Sequence, residues 1–158
     1  MEKLKKGYAV FEDYLSGTLL AVGLALIFYG VVMRYFMNDP KSWVDEISGY
    51  LVVWGTLTGA AVALREGHHI QVDILYDRVP DSVKRIFNIF SNLLGVLFCV
   101  CFIFFGSKLL NLYMLTQQQS TDTGVYLWIV YLVIPLSGIM LGIRFLENLI
   151  INLRGELK

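Results

Sequence analysis

Three groups of residues in this chain have types and spacings that suggest chemistry. His68 and His69 are candidate ligands for a metal or a haem iron, Cys99 and Cys101 for a disulfide or a soft metal, and Arg34, Ser42, Asp45 and Glu46 for an ion-pair and capping cluster. The histidines fail first. Adjacent side chains diverge on a helix or a strand, no third strong ligand stands at a ligand-type spacing, and a transmembrane cytochrome needs axial histidines on facing spans. Hydrogen bonding or contact with lipid headgroups is the better reading for both. The cysteines stand two positions apart inside an apolar run, where helical spacing points them about 200° apart, so neither a disulfide nor a metal pair is geometrically reasonable. They read as small apolar packing residues. No catalytic, substrate-binding or metal set remains, and an enzyme is not expected.

The third group survives. Ser42-Trp43-Val44-Asp45 fits a capping box, in which the Ser42 hydroxyl takes a backbone N–H and the carboxylate three residues on reaches back. Glu46 follows where the helix dipole favours negative charge. Arg34 lies one turn from the end of the preceding apolar run, within reach of Asp45 or Glu46 across a hairpin turned by Asn38-Asp39-Pro40. Such a pair would fix how two helices splay. Capping plus snorkelling, without a special pair, is the plainer alternative. Trp43 is most simply an interface-belt aromatic.

The elements that must position this cluster are four apolar runs, Tyr14 to Met33, Ile47 to Leu64, Ile86 to Ser107 and Thr123 to Ile143, with no Asp, Glu, Lys, Arg or His near the middle of any. Each is about 18 to 22 residues long, enough for a helix to cross a hydrocarbon core of roughly 30 Å. Backbone groups in lipid must be satisfied internally, so the runs become helices. The predicted fold is an all-α integral membrane protein with one domain over 1–158 and spans near 14–36, 43–65, 83–115 and 124–147. A composition 56% hydrophobic, with mean hydropathy +0.62 and zero formal net charge, excludes a soluble globular domain and a basic nucleic-acid binder. The first run outlasts an ordinary signal-peptide core and ends in Met33-Arg34-Tyr35-Phe36, without a small-residue cleavage site, so it is expected to stay. Basic residues concentrate on the side of the termini and of the loop between spans two and three, which places both termini in the cytoplasm.

Flanking segments are amphipathic. Leu4, Tyr8, Phe11 and Leu15 recur at helical spacing before span one, and Val72, Leu75, Tyr76 and Val79 after span two, as short interfacial helices would require. Arg65, Arg78, Lys84 and Arg85 are placed to meet anionic headgroups on the inner side. Small residues repeat at helical spacing: Gly17, Ala21 and Ala25, then Gly55, Gly59 and Ala63, then Gly138 and Gly142. They mark either bundle packing or an interface with a second subunit. Phe98, Phe102, Phe104 and Phe105 face lipid or a large partner. Ionisable residues inside spans are the usual mark of transport or proton relay, and their scarcity points to a subunit rather than a complete pump.

The hairpin leading into Trp43-Val44-Asp45-Glu46, the glycine-rich second span, and the run Arg65-Glu66-Gly67-His68-His69-Ile70-Gln71-Val72-Asp73 resemble the small membrane subunit of tripartite ATP-independent periplasmic (TRAP) transporters, the DctQ family. The resemblance spans the chain in length and layout. It is most specific at Trp43 with Glu46, and at Arg65, Glu66, His69 and Asp73. It implies a large membrane subunit that carries substrate and sodium by an elevator-type motion, a periplasmic binding protein that captures an organic acid, and a non-catalytic small subunit that scaffolds the former and helps dock the latter. On that footing Asp39, Lys41, Gln117, Gln118 and Asp122 are expected to meet the binding protein. No cofactor is expected in this chain, sodium belongs to the partner, bound phospholipid fits the seam, and the location is a bacterial or archaeal cytoplasmic membrane. The rival readings are an autonomous homo-oligomeric small transporter and the membrane anchor of another complex.

Overall fold

The computed structural model describes residues 2–65 and 81–154, with side chains for 7–64 and 87–150. Glu66, His68, His69, Asp73, Arg78 and the amphipathic segment around Val72–Val79 lie outside the described residues, as do the side chains of Arg65, Lys84 and Arg85. The described chain is all helical: α1 (Glu2–Tyr35), α2 (Ser42–Arg65), α3 (Asp81–Thr116), α4 (Leu127–Tyr131) and α5 (Val133–Arg154). Four stretches, Gly7–Tyr35, Ser42–Leu64, Phe87–Thr116 and Leu127–Ile150, are long and apolar enough to cross a membrane.

The segment before span one is not a separate interfacial helix. It continues into α1 as one rod of 34 residues, roughly 51 Å long at 1.5 Å per residue. Within that rod Glu12 is buried against α5. At the other end of α1, Asn38 adopts a left-handed conformation (φ 51°) and the Asp39 N–H bonds the Met33 carbonyl at 3.1 Å. Asn tolerates this region better than most residues, and Pro40 then keeps the chain from resuming a helix.

Packing follows two pairs, α1 on α2 and α3 on α5, joined by α2 against α5. Close approach within each pair depends on glycine. A Cβ on Gly55 would lie 2.7 Å from Leu20 Cγ of α1, and one on Gly95 would lie 2.4 Å from the Phe145 ring of α5. Burial from water cannot drive association inside lipid, so such contacts carry the packing. Gly59 meets Ser16, Gly138 meets Ile103, and Gly142 meets Cys99. The stripe Gly17, Ala21 and Ala25 behaves differently: all three are exposed, and nothing lies within 4 Å of a Cβ on Gly17. Ala63 is exposed as well, and α2 buries Ala61 instead. The face that α1 turns to α2 runs through Ser16, Leu20, Gly23 and Gly30.

Between α4 and α5 the helix breaks at Leu132, three residues before Pro135, whose missing N–H cannot bond the Tyr131 carbonyl. Beside the break, the Trp54 indole donates to the Val130 carbonyl at 3.0 Å, tying α2 to this point. Buried hydroxyls bond their own helices: Thr58 donates to the Trp54 carbonyl at 2.7 Å and Ser137 to the Ile134 carbonyl at 3.0 Å. Neither therefore needs a partner from lipid.

Candidate functional site

The polar side chains gather at the two ends of the bundle, and each end forms a clasp. At the hairpin end, Arg34 in the last turn of α1 donates through Nη2 to the Asp45 carboxylate in the first turn of α2. Both side chains are about half exposed, at 51% and 54%. Asp45 is thus joined to Arg34 across the turn. In the hairpin itself Lys41 pairs with Asp39 at 2.7 Å, and the hydrogen bond from that ammonium to Asp39 raises the Lys41 pKa above its ordinary value.

Glu46 does not pair with Arg34. Its Oε1 accepts from the Tyr50 hydroxyl at 2.8 Å and from the hydroxyl of Ser120, which comes from the loop between α3 and α4. Thr123 in turn donates to Ser120 Oγ at 3.1 Å. The loop is a small hairpin: Ser120 N–H bonds the Val125 carbonyl at 2.9 Å, Leu127 N–H bonds the Gln118 carbonyl at 3.0 Å, and Gly124 takes φ 67°. Only glycine adopts that angle without a steric penalty. Gln117 enters the loop at φ 49° and donates from its side chain to the Met114 carbonyl at 2.7 Å. Asp39, Gln117, Gln118 and Asp122 are exposed and Lys41 half-buried, all at this end; Trp43 is exposed nearby.

At the opposite end Glu12 of α1, 1% exposed, accepts from Arg144 Nη2 of α5 at 2.9 Å. Arg144 also donates to Glu147 at 3.2 Å, one turn on, and its guanidinium lies 5.7 Å from the centre of the Tyr8 ring. Glu12 and Arg34 are 22 positions apart on one continuous helix, about 33 Å by helical rise, close to the roughly 30 Å of a hydrocarbon core. The two clasps therefore bracket the apolar slab. Between them the buried polar groups Thr58 and Ser137 are uncharged hydroxyls, and the one ammonium of α3 in that stretch, Lys108, lies 4.5 Å from the centre of the Phe104 ring.

Sequence reasoning located the hairpin cluster but missed Glu12, Arg144, Ser120, Tyr50 and Trp54. The one visible hint was Arg144, a basic residue immediately after the last apolar run. Among the described residues no three of His, Cys, Asp and Glu come together as a metal-ion site.

Residues 23–155 match the family described as the DctQ component of tripartite ATP-independent periplasmic transporters. A putative TRAP transporter small permease protein of Haemophilus influenzae is 26% identical over 92% of this chain and 92% of its own length. The C4-dicarboxylate TRAP transporter small permease protein of Rhodobacter capsulatus is 30% identical over 86% of this chain and 73% of its own. The sialic acid TRAP transporter permease protein of Haemophilus influenzae is 25% identical over 90% of this chain, and the chain spans 23% of that protein's length.

Proposed function

Because the chain belongs to the DctQ component family of TRAP transporters, we propose that it is the small scaffold subunit of a sodium-coupled TRAP transporter for organic acids, holding the large elevator-type subunit and helping to dock the periplasmic binding protein. Members of this family are transporter subunits, not enzymes, and the family together with four membrane-long helices makes this a multi-pass protein of a bacterial inner membrane. Association with a large TRAP membrane subunit goes with the family. The finer parts are our reading: sodium as the coupling ion, both termini in the cytoplasm, and a docking surface built from Asp39, Lys41, Gln117, Gln118 and Asp122.

The observation that carries this reading is where the charges of the spans go. Glu12, Arg34, Asp45 and Arg144 join one helix to another, Glu46 joins α2 to the hairpin-end loop, and Lys108 lies over the ring of Phe104 on its own helix. Groups committed to structure in this way suit a scaffold, whereas transport of an ion needs groups that exchange partners. The exposed Gly17-Ala21-Ala25 stripe adds a face on which another helix could come close. Relatives named for sialic acid and for C4-dicarboxylates match this chain at 25% and 30% identity, which supports a substrate set by the other subunits.

A mild-detergent pull-down of tagged chain from its native membrane, followed by mass spectrometry, tests the reading. One large multi-span partner in equal amount is expected. A defined homo-oligomer of this chain alone would overturn it in favour of an autonomous transporter.

A further inference from the structure

One charge of the spans stays on the outside of the bundle. Lys108 lies within the apolar stretch Phe87–Thr116 of α3 and is exposed. Leu97, Phe104, Phe105, Leu112 and Leu115 share its face by helical spacing, and each is more than half exposed. The depth of this ammonium follows from the helix contacts. Gly95 of α3 meets Phe145, the neighbour of Arg144 in the Glu12–Arg144 clasp. Lys108 stands thirteen positions beyond Gly95, roughly 20 Å of helical rise. The two clasps are about 33 Å apart by the same measure, so Lys108 leaves the α3 backbone about 13 Å inside the hairpin-end clasp.

A lysine near the end of a span usually snorkels, running its stem towards the nearer surface. Lys108 turns the other way. Side chains on a helix lean towards its N-terminus, and the Lys108 ammonium lies 4.5 Å from the centre of the Phe104 ring, one turn nearer the Glu12–Arg144 end. The ring covers one side of the ammonium and leaves its other donors without an acceptor, and among the described residues Lys108 makes no ion pair. A charge left so in hydrocarbon is costly, which calls for an acceptor from outside this chain.

The candidates for that acceptor are few. A lipid phosphate sits outside the slab, on the side from which the ammonium turns away. A second copy of this chain has its described carboxylates at or beyond the clasps, with Glu12, Asp13 and Glu147 at one end and Asp45 and Glu46 at the other, and none at the depth of Lys108. We infer that α3 presents Lys108 to a transmembrane helix of a different protein, which carries an Asp or Glu on an otherwise apolar face at that depth. Apolar contact inside lipid discriminates weakly between one register and the next, and a buried ion pair fixes it. The inference rests on the reading of this chain as a subunit and adds which face is held, and by what chemistry.

The test places benzoylphenylalanine at Leu112, one turn from Lys108 on the same face, in the tagged full-length chain in its native membrane, and identifies the peptide cross-linked on irradiation. A transmembrane peptide of a different protein is expected, with an Asp or Glu within about two turns of the cross-link. Lys108→Met should lower the amount of that protein retained in a mild-detergent pull-down by about tenfold, and Lys108→Arg should retain most of it. Neutralising the partner's carboxylate should cause the same loss, with no further loss when combined with Lys108→Met. The isolated Lys108→Met chain should unfold no earlier than the parent. A lipid adduct alone, an adduct to a second copy of this chain, or a cross-linked helix without a carboxylate would overturn the inference. So would a loss matched by earlier unfolding of the isolated variant, which would assign Lys108 to this chain's own packing. Full retention of the partner by Lys108→Met would overturn the inference alone, whereas a parent chain that retains no partner would overturn the subunit reading with it.

Discussion

The two ends of the molecule are fastened by ion pairs of the same chemistry in opposite settings. At the hairpin end Arg34 and Asp45 are eleven residues apart and half exposed. At the other end Glu12 and Arg144 are 132 residues apart and almost wholly buried. An exposed pair contributes little because water and salt screen it and both side chains lose freedom. Breaking a buried pair strips a shielded charge of its counter-charge, so the cost is large even where the intact pair adds little net stability. The hairpin is held by the packing of α1 on α2 and by the short turn between them as well as by its ion pair, whereas α1 and α5 have no connecting turn and meet through the Glu12–Arg144 contact.

Arg144→Ala should therefore be the most damaging single change, costing about 3–5 kcal/mol by leaving Glu12 buried without its guanidinium. Thermal unfolding in mild detergent would show it, and the double variant Glu12→Met/Arg144→Met should recover most of the loss. A double variant as unstable as Arg144→Ala would mean that the pair contributes specific attraction beyond avoiding an unpaired charge.

Glu46→Ala removes the acceptor for Ser120 and Tyr50 and should destabilise less than Arg144→Ala. Hydrogen exchange should rise over residues 117–126 and stay unchanged around Tyr8 and Arg144. Equal change at both ends would show that the clasps are not independent. Gly95→Ala crowds the Phe145 ring and should cost about 1–3 kcal/mol, whereas Gly17→Ala should leave the isolated chain within about 0.5 kcal/mol of the parent. The smallest effect belongs to Arg34→Ala, at most about 1 kcal/mol and fading as salt is raised. A salt-insensitive loss larger than that of Arg144→Ala would reverse the comparison.

The difference between the ends also explains what the sequence could reveal. Four apolar runs announce four spans because lipid permits few alternatives for a chain of this composition. Arg34 with Asp45 was within reach of inspection because a short turn confines them, although Asp45 and Glu46 could not be told apart as partners. Glu12 with Arg144 was not, because their meeting depends on which helices pack together, and that follows from shape contacts such as Gly55 on Leu20 and Gly95 on Phe145. Searching for small residues at four-residue intervals found Gly55, Gly59, Gly138 and Gly142 but also the outward-facing Gly17, Ala21 and Ala25, since spacing alone does not say which face turns inward. Ser120 was hidden for a related reason. Its loop is polar, with three Gln, two Thr and one Ser, yet only the folded hairpin brings the Ser120 hydroxyl back over α2.

The central claim is that the charges of this chain hold helices together and that the coupling ion belongs to its partner. The most direct test compares thermal unfolding of the purified chain and of the complex isolated with it, titrated with sodium or with potassium at constant ionic strength. The account predicts no difference between the two cations for the chain alone and a sodium-specific stabilisation of the complex. Sodium-specific stabilisation of the chain alone, lost in Glu46→Gln or Glu12→Gln, would contradict it.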